Sequence, residues 1–397
     1  MRGEGGMAVD VEILDHGGRS AAGAIWRELE SRAGCGPTCG WDWTEAWLEH
    51  FGDVVPHLFA VGRDGAGPVG VALVTFDAWR RGPLRLRRAH LGTAGEPAGE
   101  SVYVERNGLL ALPGRVGDFA DALTRALGRA RRWDGLVLDG FLADHADAFA
   151  DQLGGRWEIA PQTALIADLS SIADGGPAAP FSAGVRREWR RAERRLGPFD
   201  VEWAEEPARA VEILDELIVL HQERWEAIGR PGAFASTRVR AFHRDVVRRL
   251  AAEGGVALTR VSAPHGLLGC RYDLVDGERL ISYQCGWLPG PDEGVSVGVV
   301  LDLACMEAAQ RRGLRIWDHL AGPQRHKRRL STGSYDLQWC TGRRGWARWR
   351  AFDTARALRR LARAGADTVP RNQTPPPAAD GGSAAGPAMA TDGGRER

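Results

Sequence analysis

Residues 279–312 read RLISYQCGW, LPGPDEGVS, VGVVLDLACMEAAQRR. The first nine residues are apolar, aromatic and too few for a stable helix, so Arg279–Trp287 is expected as a buried strand. Pro and Gly then break the pattern over Leu288–Ser296. From Val297 to Arg311 the apolar residues continue at helical spacing. A strand, a glycine-bearing loop and a helix in this order place backbone N–H groups of a helix N-terminus beside the end of a strand. Two chemistries fit. Gly294-Val295-Ser296-Val297-Gly298 matches G-x-S-x-G, but a nucleophile elbow needs the strand to run straight into the first glycine, and a loop rich in Pro and Gly intervenes. The alternative is an anion cradle, in which Gly294 and Gly298 allow close backbone approach and the helix N-terminus faces a phosphate. The second fits the spacing better.

Outward from this stretch, strands are expected at Val256–Val261, Gly269–Val275, Arg315–Trp317 and Asp336–Cys340. Helices are expected at Ala183–Leu196, Pro207–Ile228, Thr237–Ala252 and Gly345–Leu361, with a short strand at Val201–Trp203. In the first half, helices around Trp26 and Trp47 precede strands at His57–Arg63, Val69–Trp79, Leu84–Leu91 and Val102–Leu112. A helix at Val116–Arg131, a strand at Gly135–Leu138, a helix near His145 and a strand near Thr163–Leu169 come next. Hairpins followed by helix–strand units indicate mixed α/β sheets, and the two halves share a rough order of elements. The stretch SSIADGGPAAP at 170–180 reads as a linker between a domain over 1–169 and one over 181–363. Residues 364–397, rich in Pro, Gly and Ala, read as a disordered tail.

With 397 residues, 44% hydrophobic and 26% charged, the chain has ordinary globular composition. Its zero formal net charge argues against a DNA-coating protein. The longest apolar run, Val69–Phe76, cannot span a bilayer, and Met1–Asp10 carries no signal-peptide core, so no transmembrane segment and a cytoplasmic location are expected. Six scattered cysteines indicate reduced thiols. Cys35 and Cys39 lack a second pair to complete a zinc site, so no metal is expected.

Of the 52 basic residues one is a lysine, Lys327. A lysine kept where arginine serves everywhere else marks a place suited to a compact ammonium. On the helix from Pro207, the residues Val211, Leu214, Ile218, His221 and Trp225 form an inward stripe, which turns His221 into the protein. Six arginines (186, 187, 190, 191, 194 and 195) cover the outer face of Ala183–Leu196, either as a solvated face or as a phosphate-docking patch.

The residues His221-x-x-Arg224-Trp225, Phe242-His243, Tyr283-Gln284-Cys285-Gly286-Trp287 and Trp317-Asp318-His319-Leu320-Ala321-Gly322-Pro323-Gln324-Arg325-His326-Lys327 resemble the bacterial GNAT-type acetyltransferases of the cellulose-biosynthesis CelD group. These are distant relatives of the Fem aminoacyltransferases. The resemblance covers about Gly184 to Trp339. Upstream, Trp43-x-x-x-Trp47, His90-Leu91-Gly92 and Glu105-Arg106-Asn107 resemble the family's first domain more weakly. Where the family shows "Tyr-Asp-Phe-Leu-x-Gly…Tyr-Lys", this chain has Trp317 and His326 for the tyrosines and His319 for the phenylalanine.

The resemblance implies an α/β fold of two tandem GNAT-like domains, the second one active. It implies transfer of an acyl group, from acetyl-CoA or another acyl-CoA, to an amine or hydroxyl of a sugar-like or cell-envelope precursor. Gly294, Val295, Ser296, Val297 and Gly298 would hold the donor, with no permanently bound cofactor. His243, His221 and Tyr283 are candidates for proton removal, in that order, because histidine titrates near neutrality. Lys327 and Asp318 complete the catalytic set, and Arg224, Trp225, Arg271 and Gln284 would meet substrate. The alternatives are a non-catalytic scaffold of a polysaccharide machinery and a Fem-like transferase that takes its acyl group from aminoacyl-tRNA.

Overall fold

The computed structural model describes residues 8–366 apart from 35, 82, 131–132, 151–155, 173–174, 291–294 and 323. The chain forms two compact units. Of the described residues, the first takes 8–96, 104–161 and 338–366; the second takes 97–103 and 162–337. The units thus differ from the contiguous domains expected over 1–169 and 181–363. Residues 97–103 join the second unit, and the last helix joins the first because Trp349 and Phe352 pack on Leu86 and Trp79. The expected linker begins with a 3-10 turn at Leu169–Ile172 whose apolar ends are buried in the second unit's core.

In the first unit, β1 (Asp10–Leu14), β2 (His57–Asp64), β3 (Gly67–Arg81) and β4 (Leu84–Leu91) pair antiparallel in sequence order. β4 then pairs parallel with β6 (Gly135–Leu142), and β5 (Leu110–Ala111) adds to β3. Helices α1 (Arg19–Ala33), α2 (Trp41–Phe51), α3 (Val116–Ala130) and α4 (Ala143–Asp147) surround this sheet's core. The strand expected at Val102–Leu112 shrinks to β5, because Asn107 makes a single bridge to Phe141 in place of a ladder.

In the second unit the strand order is β7 (Trp157–Asp168), β12 (Ile316–Ala321), β11 (Arg279–Trp287), β10 (Gly266–Asp276), β9 (Val256–Ala263) and β8 (Asp200–Trp203). Strand β13 (Gly333–Arg343) and helix α10 (Trp346–Ala366) close the chain. Of the second unit's helices, α5 (Ala183–Leu196) starts on the Ser182 hydroxyl, which accepts from Val185 N–H, and α7 (Thr237–Ala251) starts on Ser236 in the same way. α6 (Pro207–Ala227) buries Ile213, Leu214, Leu217, Ile218, Leu220 and His221. That stripe is wider than expected because the helix also lies against β9, β10 and β11. α8 (Val297–Arg311) is apolar nearly all round and lies inside the core shared with α5 and β11. Burying a Val or Leu side chain there contributes about 1.5–3 kcal/mol each, so this helix is a firm platform. The short α9 (Arg325–Arg329) carries Lys327.

Candidate functional site

Strands β11 and β12 run parallel and pair at three positions, ending at Ile281↔Asp318. β11 continues to Trp287, while β12 carries on against β7, through Ala321↔Ala164. Both strands are irregular where they part. On β11, Tyr283 is an extra residue between the pairs Asp273↔Ser282 and Tyr272↔Gln284. On β12 the register shifts between Asp318 and Ala321, and Leu320 sits at φ 60°. The result is a wedge-shaped gap. Among the described residues the β11 edge beyond Ile281 has no ladder partner on this side, and the Tyr283 N–H bonds the Asp273 carboxylate instead. Gly286 lets α6 approach closely, since a Cβ there would lie 2.7 Å from the Leu217 carbonyl and 2.9 Å from His221 N.

The expected donor loop ends at the wide end of this gap. Gly294 lies outside the described residues. Val295 and Val297 turn their side chains into the core and so anchor the start of α8. Ser296 is the N-cap residue, exposed, and its side chain makes no capping bond, so it does not satisfy the first-turn N–H groups. Gly298 faces the Trp287 indole, and a Cβ there would sit 3.4 Å from the ring. The Arg224 guanidinium stacks on that same indole, 3.8 Å from its centre. Burial lowers the Arg224 pKa from arginine's ordinary value, yet a guanidinium stays charged at neutral pH. A cation from α6 therefore stands beside a helix N-terminus, a combination suited to a phosphate group.

Behind the gap lies a buried ionic cluster. Arg271 donates to both oxygens of Asp273, at 3.0 and 2.7 Å, to Asp302 Oδ1 at 2.5 Å and to Ser282 Oγ at 3.0 Å. Burial pushes the Asp273 and Asp302 carboxyls up, and the Arg271 charge between them pulls against it. Arg271, expected to meet substrate, is thus a core residue with its donors in use. Lys327 is 3% exposed; its Nζ donates to Ala321 O at 2.7 Å and its charge acts on Asp302. The lone lysine is at the end of β12, not on the surface. Asp318 accepts from Arg279, at 2.8 Å, from the Tyr335 hydroxyl at 2.7 Å and from Leu320 N–H at 2.9 Å. It fixes the β12 irregularity. Burial, with lesser repulsion from Lys327, His326 and Arg271, holds His319 down at about 3, and its Nε2 lies 2.8 Å from Leu330 O.

On the α6–α7 side of the sheet the expected proton-transfer residues come together. The His243 ring lies 5.3 Å from Tyr283, 5.7 Å from Tyr272 and 5.5 Å from Phe234. His221 is 5.1 Å from Phe234 and 5.9 Å from Trp225. Burial holds the His221 imidazole near 4, so it is neutral at pH 7, and its Nδ1 lies 3.1 Å from Gln222 Oε1. The Tyr283 hydroxyl donates to the Val102 carbonyl, which commits its proton to a peptide oxygen. Gln284 is buried on β11.

Asp302, Asp273, Tyr272 and the segment 97–103 stand outside the set expected for this site. Arg271 and Asp273 stand two apart in an apolar strand and so share a face, a signal readable in sequence. Asp302 in an apolar helix is a second such signal. Nothing in sequence pairs Val102 with Tyr283.

Residues 181–328 match the family model described as an acetyltransferase (GNAT) domain. No curated relative matches the chain. Among solved structures, FemX is similar in fold, at 11% identity and a TM-score of 0.53, over 86% of this chain and 99% of that one. L-PGS from Bacillus licheniformis is similar at 11% identity and a TM-score of 0.50, over 82% of this chain and 98% of that one. The match falls on the unit that holds the gap, the bulge and α8. The chain is thus a mixed α/β protein in two compact units, and residues 181–328, within the second unit, are similar to a GNAT acetyltransferase domain.

Proposed function

We propose that the second unit transfers an acyl group, most simply acetyl from acetyl-CoA, to an amine or hydroxyl of a sugar-like or envelope precursor, as in the CelD group. The single observation that carries this reading is the gap between β11 and β12, with the bulge at Tyr283 on one side and the start of α8 at its mouth. A donor whose phosphates meet α8 and Arg224 would lay its thioester along the bare edge of β11. N–H groups there would polarise the carbonyl as charge develops on its oxygen. Attack by the acceptor is then direct: its nitrogen or oxygen bonds to the acyl carbon, the C–S bond breaks and the CoA thiolate leaves to take a proton, and positioning supplies much of the acceleration.

Because the Tyr283 hydroxyl is engaged as a donor to the Val102 carbonyl and His221 is held near 4, His243 is the group assigned to receive the acceptor's proton. Lys327 and the Arg271 cluster support the gap from behind, with Lys327 holding the end of β12. Arg224 and Trp225 would border the donor and acceptor sides. A second reading, aminoacyl-tRNA as donor, is favoured by the rows of exposed arginines on α5, where 187, 190 and 194 face solvent. Thermal stabilisation by acetyl-CoA, longer acyl-CoAs, CoA and charged tRNA tests both. Acyl-CoA is expected to raise the melting temperature with saturating dependence; stabilisation by charged tRNA alone would move the donor assignment, and by none would leave a non-catalytic scaffold.

A further inference from the structure

The segment 97–103 comes from the first half of the sequence, yet it belongs to the second unit. Glu100 and Val102 anchor it. Glu100 accepts from the Ser236 hydroxyl at 2.8 Å and pairs with Arg238 at 3.6 Å, at the start of α7. Val102, 1% exposed, accepts the Tyr283 hydroxyl proton through its carbonyl. Gly99 and Tyr103 flank these anchors at φ 85° and 45°, and Tyr103 is half exposed. The strap thus lies on the one residue that the β11 bulge adds.

Beside Tyr283 the Tyr272 hydroxyl and Gln284 Oε1 are buried with no hydrogen-bond partner among the described residues. Both residues are at most 2% exposed. They are direct cross-strand partners, so they leave the sheet on the same face. The Tyr272 ring is 5.0 Å from that of Tyr283 and 5.7 Å from His243. One is a donor and the other an acceptor, and leaving such a pair buried is costly unless something meets both. A carboxylate has no proton for Gln284 Oε1 and an ammonium cannot accept from Tyr272. An alcohol does both. Stacked rings around such a pair suit the apolar faces of a sugar ring.

We propose that residues 97–103 are an opening strap over a subsite for an uncharged hydroxyl-bearing group. Tyr272 and Gln284 hold the hydroxyl, and the guest displaces the Val102 carbonyl from Tyr283. Calling this guest the acceptor rests on the acyltransferase reading; the strap and its subsite do not.

Hydrogen exchange on the full chain tests the strap, with Tyr283→Phe and Glu100→Gln as variants. Amides 98–103 are expected to exchange at least tenfold faster in each variant, while those of 270–275 keep the parent rate. Parent-like exchange of 98–103 in both variants overturns the strap. The glutamate change, at a partly exposed site, keeps the test valid even if the tyrosine variant folds poorly. For the subsite the probe is N-acetylglucosamine, read by saturation-transfer NMR, with glucuronate as the charged control. Signal from the neutral sugar in the parent, lost in the double variant Tyr272→Phe and Gln284→Leu, supports the assignment. Equal signals in parent and double variant, no signal in either, or equal signals from glucuronate, overturn it. Acetyl-CoA stabilisation measured on the same samples separates the two claims. A bound donor with an unresponsive strap refutes the strap alone, and a responsive strap without donor binding refutes the acyltransferase reading alone.

Discussion

In the first unit β4 and β6 pair in parallel at three positions, from Arg88↔Gly135 to His90↔Val137, and then part. In the second, β11 and β12 do the same from Arg279↔Ile316 to Ile281↔Asp318. Beyond the third pair the two units differ. In the first unit Asn107 enters the gap: its N–H donates to Gly140 O at 2.8 Å and its carbonyl accepts from Leu142 N–H at 2.9 Å. Its side chain donates to Leu91 O and lies within reach of Asp139 O. Gly140 is required there, since a Cβ would meet the Val104 carbonyl at 2.8 Å and its φ is 62°. In the second unit no isolated bridge fills the gap among the described residues. One sheet has bridged its parted strands with its own backbone, and the other, among the described residues, has no such bridge. The lesson is that a shared fold sets where a ligand fits, while a single inserted segment decides whether one does.

The sharpest way to break this comparison is to disturb the support behind the open gap. Arg271→Met leaves Asp273 and Asp302 buried without their cation, and is expected to cost about 3–5 kcal/mol in urea unfolding. A loss under 1 kcal/mol would show that the cluster is dispensable. The closed gap has its own charged clamp. His90 lies 3.1 Å from Asp139 and 3.2 Å from Asp77, whose carboxylate also pairs with Arg88. Burial pulls the imidazole down, but the two carboxylates outweigh it and raise it to about 9. A raised histidine contributes fully below its ordinary value of 6.5, and that stability is lost as pH rises through 9. The loss between pH 6.5 and 9.5 is about 3 kcal/mol. Glu96, which burial pushes up to about 7, titrates at the lower end of that window, but its linked loss of stability falls mostly below pH 6.5 and adds only about 0.8 kcal/mol within it. His90→Gln should remove most of the slope and leave the smaller Glu96 part; an unchanged slope would place the titration elsewhere.

Matched glycine changes sharpen the contrast. Gly140→Val should destabilise by about 2 kcal/mol, through positive φ and the Val104 carbonyl. Gly298→Ala should stay within about 0.5 kcal/mol of the parent, since its Cβ finds ordinary contact with Trp287. Equal costs would mean that the first gap is no tighter than the second. Lys327→Arg keeps the charge but forces a planar fork into a niche where Nζ meets Ala321 O. A fall in kcat of about tenfold with retained folding is expected; parent turnover would reduce the lone lysine to an effect of base composition.

Much of the second unit was legible because its elements are local. Arg279–Trp287 and Val297–Arg311 run as the periodicity predicts, end to end. Ser182 and Gly197 bound α5 by their own chemistry. Strand β12 runs on to Ala321, beyond the expected Trp317, because a polar Asp-His pair interrupts the apolar pattern while tertiary partners satisfy both. The candidate residues could be named from sequence, but their partners could not. His221 read as an inward residue and His243 as a candidate for proton removal, but that Tyr283 donates to Val102 is a contact across 181 positions, which no spacing rule encodes. Likewise Asn107 carried a family resemblance, while its role as filler of a gap needed the pairing of β6 to be seen.

The central claim is that the second unit's gap, and not the first's, takes an acyl donor. Calorimetric titration of acetyl-CoA into the full chain and into Gly298→Asp tests it directly, with circular dichroism to confirm folding. A carboxylate at the start of α8 favours the helix by up to about 1 kcal/mol, so the variant should fold while opposing a phosphate in the same place. The account predicts one donor per parent chain and an affinity at least a hundredfold weaker in the variant. Two donors per chain, or unchanged affinity in the folded variant, would contradict it.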